Sequence, residues 1–359
     1  MFHRECGYYK TSYEADQAVL PIPVAKQGIG LFAIVFLVLI PLHSMITGIE
    51  YYVSLVSLVG ITVVGALGLN ILLGYTGQIS IGHAAFMSVG AYTAANLAVK
   101  FGLPFYITLP LGGVMAALIG IVVGFPSLRV KGLYLAIATI AAQFIIEWVI
   151  NHTPAISGGV AAAIEVERPD LFGWKLDAAV ELYYFVIFFA IIAIIAATNL
   201  VRSRIGRAFI AIRDQDIAAE IIGISVFRYK LYAFAISSFF AGCTGVLYTY
   251  YLGIATYEQF QIVVSIDFLA MCIIGGLGSI IGSILGAFFI TLLPTVIRIV
   301  METIGPWFMD PSDLPTVIGQ LRLIFFGGLI MLFLILEPEG LNRMWLNIRN
   351  YFRVWPFSY

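Results

Sequence analysis

Long apolar blocks separated by short polar stretches run through the chain. They lack the strict alternation of half-buried strands, and they are too uniformly apolar for the one-sided helices of a water-soluble domain. The blocks fall at 29–46, 52–73, 80–99, 104–124, 132–150, 182–201, 229–251, 262–280, 281–301 and 320–337. Each is close to the roughly 20 residues that cross hydrocarbon as a helix. The pattern therefore predicts an all-α polytopic membrane helix bundle of about ten transmembrane helices. Two joints stand out. GYTGQ links the second and third blocks and GGLGSIIGS the eighth and ninth, and glycine at such points either ends a helix or breaks it within the membrane.

The polar stretches set the orientation. With a cytoplasmic N-terminus, ten spans put the joint 126–132 (Arg129, Lys131), the stretch Arg202–Lys230 and the tail with Arg343, Arg349 and Arg353 inside. The loop 151–181, carrying Glu165, Glu167, Asp170, Asp177 and Glu181, and the loop 302–319, carrying Glu302, Asp310 and Asp313, then lie outside. Basic loops inside and acidic loops outside satisfy the positive-inside rule, so both termini are expected in the cytoplasm. The expected organisation is a cytoplasmic N-terminal segment 1–28, a transmembrane domain 29–337 and a cytoplasmic tail 338–359. The polar start has no small-residue cleavage signature after its apolar run, which reads as a retained anchor.

Composition agrees. The 359 residues are 61% hydrophobic and only 11% charged, with a formal net charge of -1, so nothing global points to nucleic acid. Cys6, Cys243 and Cys272 lack metal-ligand spacing and do not suggest a disulfide framework. No Gly-x-x-x-x-Gly-Lys-[Ser/Thr] loop is present, and His3, His43, His83 and His152 are scattered with no nucleophile set around them. The chain reads as neither an ATPase nor an enzyme.

Against this background Arg202–Lys230 is a charged island, holding six of the 19 Lys and Arg residues but interrupted by Asp214, Asp216 and Glu220. From Gly206 to Gly223 the positions Phe209, Ile210, Ile212, Ile217, Ile221 and Ile222 recur at roughly helical spacing, which predicts a short amphipathic helix stopped by Gly223. Such a helix at the mouth of a bundle suits a partner protein.

The glycine joints GYTGQISIGHAAF (74–86) and GGLGSIIGSILGAF (275–288) share a Gly-x-x-Gly start and a later small residue followed by Phe. Internal duplication is one reading and close helix packing is the other. Gly74, Gly77, Gln78, Ser80, Gly82, His83, Gly275 and Gly278 are expected to line or hinge a translocation path, because polar groups at membrane depth need protein or a water-filled cavity around them. His83 either meets a substrate, reports pH, or bonds to a neighbouring helix. Gln143 and Glu147, one turn apart, either line the path or face the outer loop; Asp267 lies near an outer gate or an interface.

Several stretches together resemble the larger of the paired permease subunits of ABC importers for branched-chain amino acids. They are GYTGQISIGHAAFMSVGAY (74–92), RVKGLYLAIAT (129–139), GISVFRYKLYAFAISSFFAGCTG (223–245), residues 275–286 and EPEGL (337–341). The resemblance covers most of the chain from Gly65 to Leu341. It implies that 202–230 is a cytoplasmic coupling loop on a separate ATPase, with Arg207, Arg213, Asp216, Ala218, Ala219, Glu220 and Gly223 at the contact. Ala218, Ala219 and Gly223 match an Ala-Ala-x-x-x-Gly pattern of such loops, whereas Ile217 stands where that pattern has Glu. It further implies a multi-pass protein of the bacterial inner membrane, a second permease subunit, an amino-acid-binding protein outside, lipid around the bundle, and no cofactor on this chain, ATP being held by the ATPase. A urea or short-amide importer permease is the alternative within the class. An ion-coupled secondary amino acid transporter, with Asp267 and Glu147 as its candidate carboxylates, is the alternative outside it.

Overall fold

The computed structural model describes residues 39–127, 132–159, 162–171, 174–176, 178–304, 314–336 and 340–354. The expected segment 1–28, most of the first span, residues 128–131 of the basic joint, part of the 302–319 loop, residues 337–339 and the last five residues lie outside these. The chain falls into two compact units, Met1–Ser54 and Leu55–Tyr359. In the first, α1 (Ile40–Thr47) has Pro41 at its start, where a missing N–H breaks no helical bond. It stops at Gly48, whose N–H goes to Ser44 O at 2.8 Å.

The later helices are α2 (Tyr51–Thr76), α3 (His83–Phe101), α4 (Phe105–Ser127), α5 (Leu133–His152), α6 (Ala179–Arg202), α7 (Arg204–Asp214), α8 (Asp216–Ile221), α9 (Val226–Leu252), α10 (Ile262–Gly275), α11 (Ile280–Ile304), α12 (Leu314–Leu336) and α13 (Gly340–Val354). Among the described residues seven helical stretches are long and apolar enough to cross a membrane: Tyr51–Thr76, Phe105–Pro126, Leu133–His152, Ala179–Arg202, Val226–Leu252, Tyr257–Gly275 and Ile280–Thr303. In hydrocarbon a helix is the economical form, since it satisfies each backbone polar group within its own segment. The observed class is thus the expected one, an all-α polytopic bundle.

α9 is the hub of the second unit and packs most extensively on α4 and α3. The three meet through glycine. A Cβ added to Gly90 would run into the backbone of Gly242, and one added to Gly242 would lie 2.8 Å from Gly112 O and 2.5 Å from the Ala116 methyl. Backbones this close gain dispersion contacts where the hydrophobic effect gives no preference between helix and lipid. Phe105 fills the space towards α6, meeting Phe185 edge-on at 4.5 Å and Tyr250 at 4.9 Å between ring centroids. The outward faces of α5 and α6 carry Ile145, Trp148, Phe188 and Ile195 in exposed positions.

Among the described residues, two short antiparallel pairs accompany the helices. β1 (Ile164–Glu165) pairs with β4 (Ile254–Ala255) in the register Ile164↔Ala255, and β2 (Asp170–Leu171) pairs with β3 (Trp174–Lys175). The first pair ties the loop after α5 to the C-terminal end of α9, and the 203–225 connection adjoins the opposite, N-terminal end of α9.

The eighth expected span, 262–280, is shorter than its apolar run suggests. A 3₁₀ turn at Tyr257–Phe260 leads into α10, which stops at Gly275, and α11 begins only at Ile280. Gly276 and Gly278 take φ of 112° and 74°, so the helix breaks within the apolar run.

Candidate functional site

The charged island folds as two helices, not the single amphipathic one expected over 206–223. Ser203 caps α7 by accepting the N–H groups of Ile205 and Gly206 at 3.2 and 3.4 Å. Ala208, Phe209 and Ile212 turn inward and are buried. Extended backbone at Gln215 (φ -159°, ψ 103°) then ends α7, and α8 restarts with Asp216 in its first turn, where a carboxylate complements the helix dipole. The restart rotates the apolar stripe. Ile217, Ile221 and Ile222 are 64%, 81% and 73% exposed, with Ala218 and Glu220 beside them. Ala219 is 2% exposed and packs inside its own chain, so only Ala218 of the alanine pair is open to a partner. Gly223 (φ 91°) closes α8 with its N–H on Glu220 O at 3.0 Å. Arg207 is exposed and donates to Arg202 O at 3.1 Å.

The first glycine joint is a break between α2 and α3, turned by left-handed Gly77 (φ 69°). The first N–H groups of a helix have no partner within it, and here the N-cap is Gly82, which has no side chain to offer. Other helices supply the acceptors. Ser265 Oγ of α10 takes Ala84 N–H at 2.9 Å, Gln143 Oε1 of α5 takes Ala85 N–H at 2.7 Å, and Thr139 Oγ1 takes Ile81 N–H at 3.0 Å. Gln143 also donates to Phe260 O at 2.9 Å. His83 is 1% exposed and lies 5.2 Å from Phe268 between ring centroids.

The second joint is fastened to the first by Asn70 of α2. Its Oδ1 accepts Gly278 N–H at 2.9 Å, and its Nδ2 donates to Ser279 O at 2.8 Å and Ser283 Oγ at 2.6 Å. Sequence reasoning passed over Asn70; the available signal was one amide side chain in the middle of an otherwise apolar span, which needs a partner there.

Two residues of the expected coupling contact and two of the expected path lie together. A cavity of about 310 Å³ is lined by Gly77 and Gln78 from the first joint, by Arg213 and Asp216 from the island, and by Leu135 and Lys230 among others. Gln78 Nε2 donates to Thr76 Oγ1 at 2.9 Å and to Lys230 O at 3.3 Å, and Lys230 Nζ lies 3.7 Å from Asp216 Oδ2. Gly74 and Gly278 adjoin this cluster through Arg213, whose Nη1 donates to Gly74 O at 3.0 Å. Ser80, Gly82 and His83 lie apart from that cavity, buried against α5 and α10. Gly275 packs on Gly282 and Gly286. Gln143, taken with Glu147 as a possible path lining, is fully buried as a cap, while Glu147 borders a much smaller recess with Tyr92 and Tyr257. Among the described residues no His, Cys, Asp and Glu group is arranged to hold a metal.

A bundle of apolar helices, broken twice by glycine and carrying a half-exposed helix pair at one end, is the architecture of a polytopic membrane protein, and the family match places it in the transport class. Residues 51–334 match the family described as branched-chain amino acid transport system / permease component, and the chain belongs to that family. It is 31% identical over 324 residues to the high-affinity branched-chain amino acid transport system permease protein LivM of Escherichia coli K12, covering 83% of this chain and 72% of that one. It is 24% identical over 270 residues to a probable LivM of Methanocaldococcus jannaschii, covering 72% and 73%. A shorter likeness, 32% over 125 residues, reaches the autoinducer 2 import system permease protein LsrC of Enterobacter sp. 638 and spans 33% of this chain and 36% of that one. No solved structure matches the chain.

Proposed function

We propose that this chain is the membrane-spanning permease subunit of an ATP-binding-cassette importer that moves leucine, isoleucine and valine across a bacterial inner membrane. ATP is hydrolysed on separate ATPase subunits, which seat on α7 and α8. The observation that carries this reading, beyond family membership, is the division of that helix pair. α7 buries its apolar face in the bundle, while α8 turns Ile217, Ile221 and Ile222 outward. A segment anchored on one side and apolar on the other transmits force from a partner into the membrane domain. The chain has no phosphate loop of its own, so the driving reaction belongs to that partner.

The topology proposed is ten spans with both termini cytoplasmic: the nine helical segments α2, α3, α4, α5, α6, α9, α10 with its leading 3₁₀ turn, α11 and α12, preceded by the block 29–46. α9, at 27 residues, is about 40 Å long, which supports placing the β1–β4 tie and the 203–225 connection on opposite sides of the bilayer. The outer side receives the amino-acid-binding protein, and a second permease subunit completes the path. Even a fully apolar pocket for the side chain would distinguish one methylene by only about 1 to 3 kcal/mol, so choice among the three amino acids is assigned to the binding protein.

The test is Ile221→Glu and Ala218→Arg in the assembled importer, two exposed positions whose replacement leaves the bundle's packing alone. ATPase copurification and ATP-driven leucine uptake should both be lost while the permease reaches the membrane at normal level. Normal assembly and uptake in both variants would place the docking surface elsewhere, and uptake by this chain alone on an ion gradient would remove the importer reading. Cysteines at exposed Glu167 and Arg204 should label from opposite sides of the membrane.

A further inference from the structure

The ATPase-facing segment and the two glycine joints meet at a single side chain. Arg213, one residue from the end of α7, donates Nη1 to Gly74 O at 3.0 Å across 139 positions of sequence. Its Nε and Nη2 are held by Asp214 Oδ1 at 3.1 and 3.0 Å, so the guanidinium is oriented before it reaches the joint. Gly74 O is free to accept because the helix ends there. Gln78 N–H, the donor a continuing helix would offer it, turns back to Leu72 O at 3.1 Å. A cation on the last carbonyls of α2 also opposes the negative end of its dipole.

The same side chain touches both breaks. A Cβ on Gly77 would lie 3.4 Å from Arg213 Cγ, and one on Gly278 would lie 2.8 Å from Arg213 Nη1. The stem of Arg213 therefore crosses the left-handed glycine of the first joint, and its head reaches the left-handed glycine of the second. Asn70, one turn before Gly74 on α2, holds the second joint from the other side through Gly278 N–H and Ser279 O.

We propose that Arg213 is a positioning residue that latches α7 to both glycine joints at once, so that a displacement of α7 moves the two broken helices together. The proposal rests on the reading of α7 and α8 as the ATPase seat and assigns Arg213, expected from the sequence at the ATPase contact and 39% exposed along its side chain, to the glycine joints instead of the docking face. An importer lacking the latch still binds its ATPase and still hydrolyses ATP, but the stroke no longer reaches the joints.

The experiment uses the complete importer in vesicles with its binding protein, comparing wild type, Arg213→Met and Arg213→Lys for ATPase copurification, ATP hydrolysis and leucine taken up per ATP. Arg213→Met should keep its ATPase subunits and hydrolysis, while leucine per ATP falls about tenfold, the shift expected from losing one charge-assisted hydrogen bond in one of two states. Arg213→Lys, which keeps the charge and one donor towards Gly74 O, should recover part of the ratio; a merely structural role predicts no such recovery. Should Arg213→Met not reach the membrane, Arg213→Gln decides on the same ratio. A wild-type ratio in the Met or Gln variant overturns the proposal. Loss of the ATPase from Arg213→Met also overturns it, by making Arg213 a docking residue while leaving the importer reading intact. Failure of the wild-type chain to assemble with any ATPase defeats the importer reading itself and is separable from either result.

Discussion

Replacing Gln143 by Met tests whether the polar residues around the first glycine joint serve the helix or the path. Gln143 is fully buried; its Oε1 accepts Ala85 N–H at 2.7 Å and the Ser265 hydroxyl at 3.3 Å, and its Nε2 donates to Phe260 O at 2.9 Å. Met keeps nearly the same volume and so leaves no cavity, isolating the polar loss. Each buried backbone group left without a partner costs about 1 to 3 kcal/mol, so two such groups put the cost at about 2 to 6 kcal/mol. Interhelical hydrogen bonds in bilayers average nearer 0.6 kcal/mol, because partners are found again in the unfolded state within the membrane. The upper range applies here because Ala85 sits in the first turn of α3, where no carbonyl precedes it on the helix. Gln143→Glu, kept protonated by burial, retains an oxygen for Ala85 N–H and an O–H for Phe260 O, so its effect should be smaller. Thermal unfolding of the detergent-purified protein, with amide exchange read over the first turn of α3, measures both. Wild-type stability and exchange in Gln143→Met would refute the capping argument; a loss of uptake with unchanged stability would return Gln143 to the path.

Two further substitutions test the packing. Gly90→Leu should destabilise by more than the 1 to 3 kcal/mol usual for overpacking, since its Cβ meets the Gly242 backbone and no rotamer change relieves that contact. Gly319→Ala, with nothing within 4 Å of the added methyl on exposed α12, should be neutral or stabilising by up to about 1 kcal/mol; the two melting temperatures should therefore move in opposite directions or the second not at all. Tyr250→Phe removes the 2.9 Å bond to Thr108 Oγ1 but leaves that hydroxyl on Phe105 O, so it should cost only about 0.5 to 1.5 kcal/mol and leave uptake unchanged.

The helical class and the seven apolar spans among the described residues were legible because crossing hydrocarbon needs length and apolarity alone, and both are local properties of sequence. The joints were legible for a related reason: Gly77 and Gly278 occupy left-handed backbone that other residues rarely adopt. What holds the joints together was not legible. Asn70 finds its partners more than 200 positions away at Gly278, Ser279 and Ser283, and nothing beside it in the chain announces them. The island was half legible. Its apolar residues fit one stripe only if the helix is continuous, and the turn at Gln215 separates those facing the core from those facing out. Asp214, Gln215 and Asp216 held the signal, for an acid in a first turn marks a new helix start. The pairing of Arg213 with Asp214 is equally local, yet its bond to Gly74 O depends on the fold.

The repeated Gly-x-x-Gly at 74–77 and 275–278 can now be weighed physically. In each joint the second glycine is left-handed, with φ of 69° at Gly77 and 74° at Gly278, and in each it lies against Arg213. The surrounding breaks differ: α2 runs on to Thr76 and α3 starts at His83, whereas α10 stops at Gly275 and α11 starts at Ile280. The first glycines differ as well. Gly74 is small because the Gly278 backbone crosses it, while Gly275 is small because the Gly282 and Gly286 backbones do. Four glycines are therefore demanded by three separate contacts and two separate turns, so a shared motif is accounted for without shared descent. What the two joints have in common is the arginine that both must admit. A chain that gains Ala at Gly278 should accordingly lose more coupling than the isolated cost of a strained turn predicts, because the added methyl strikes the guanidinium that also serves Gly74.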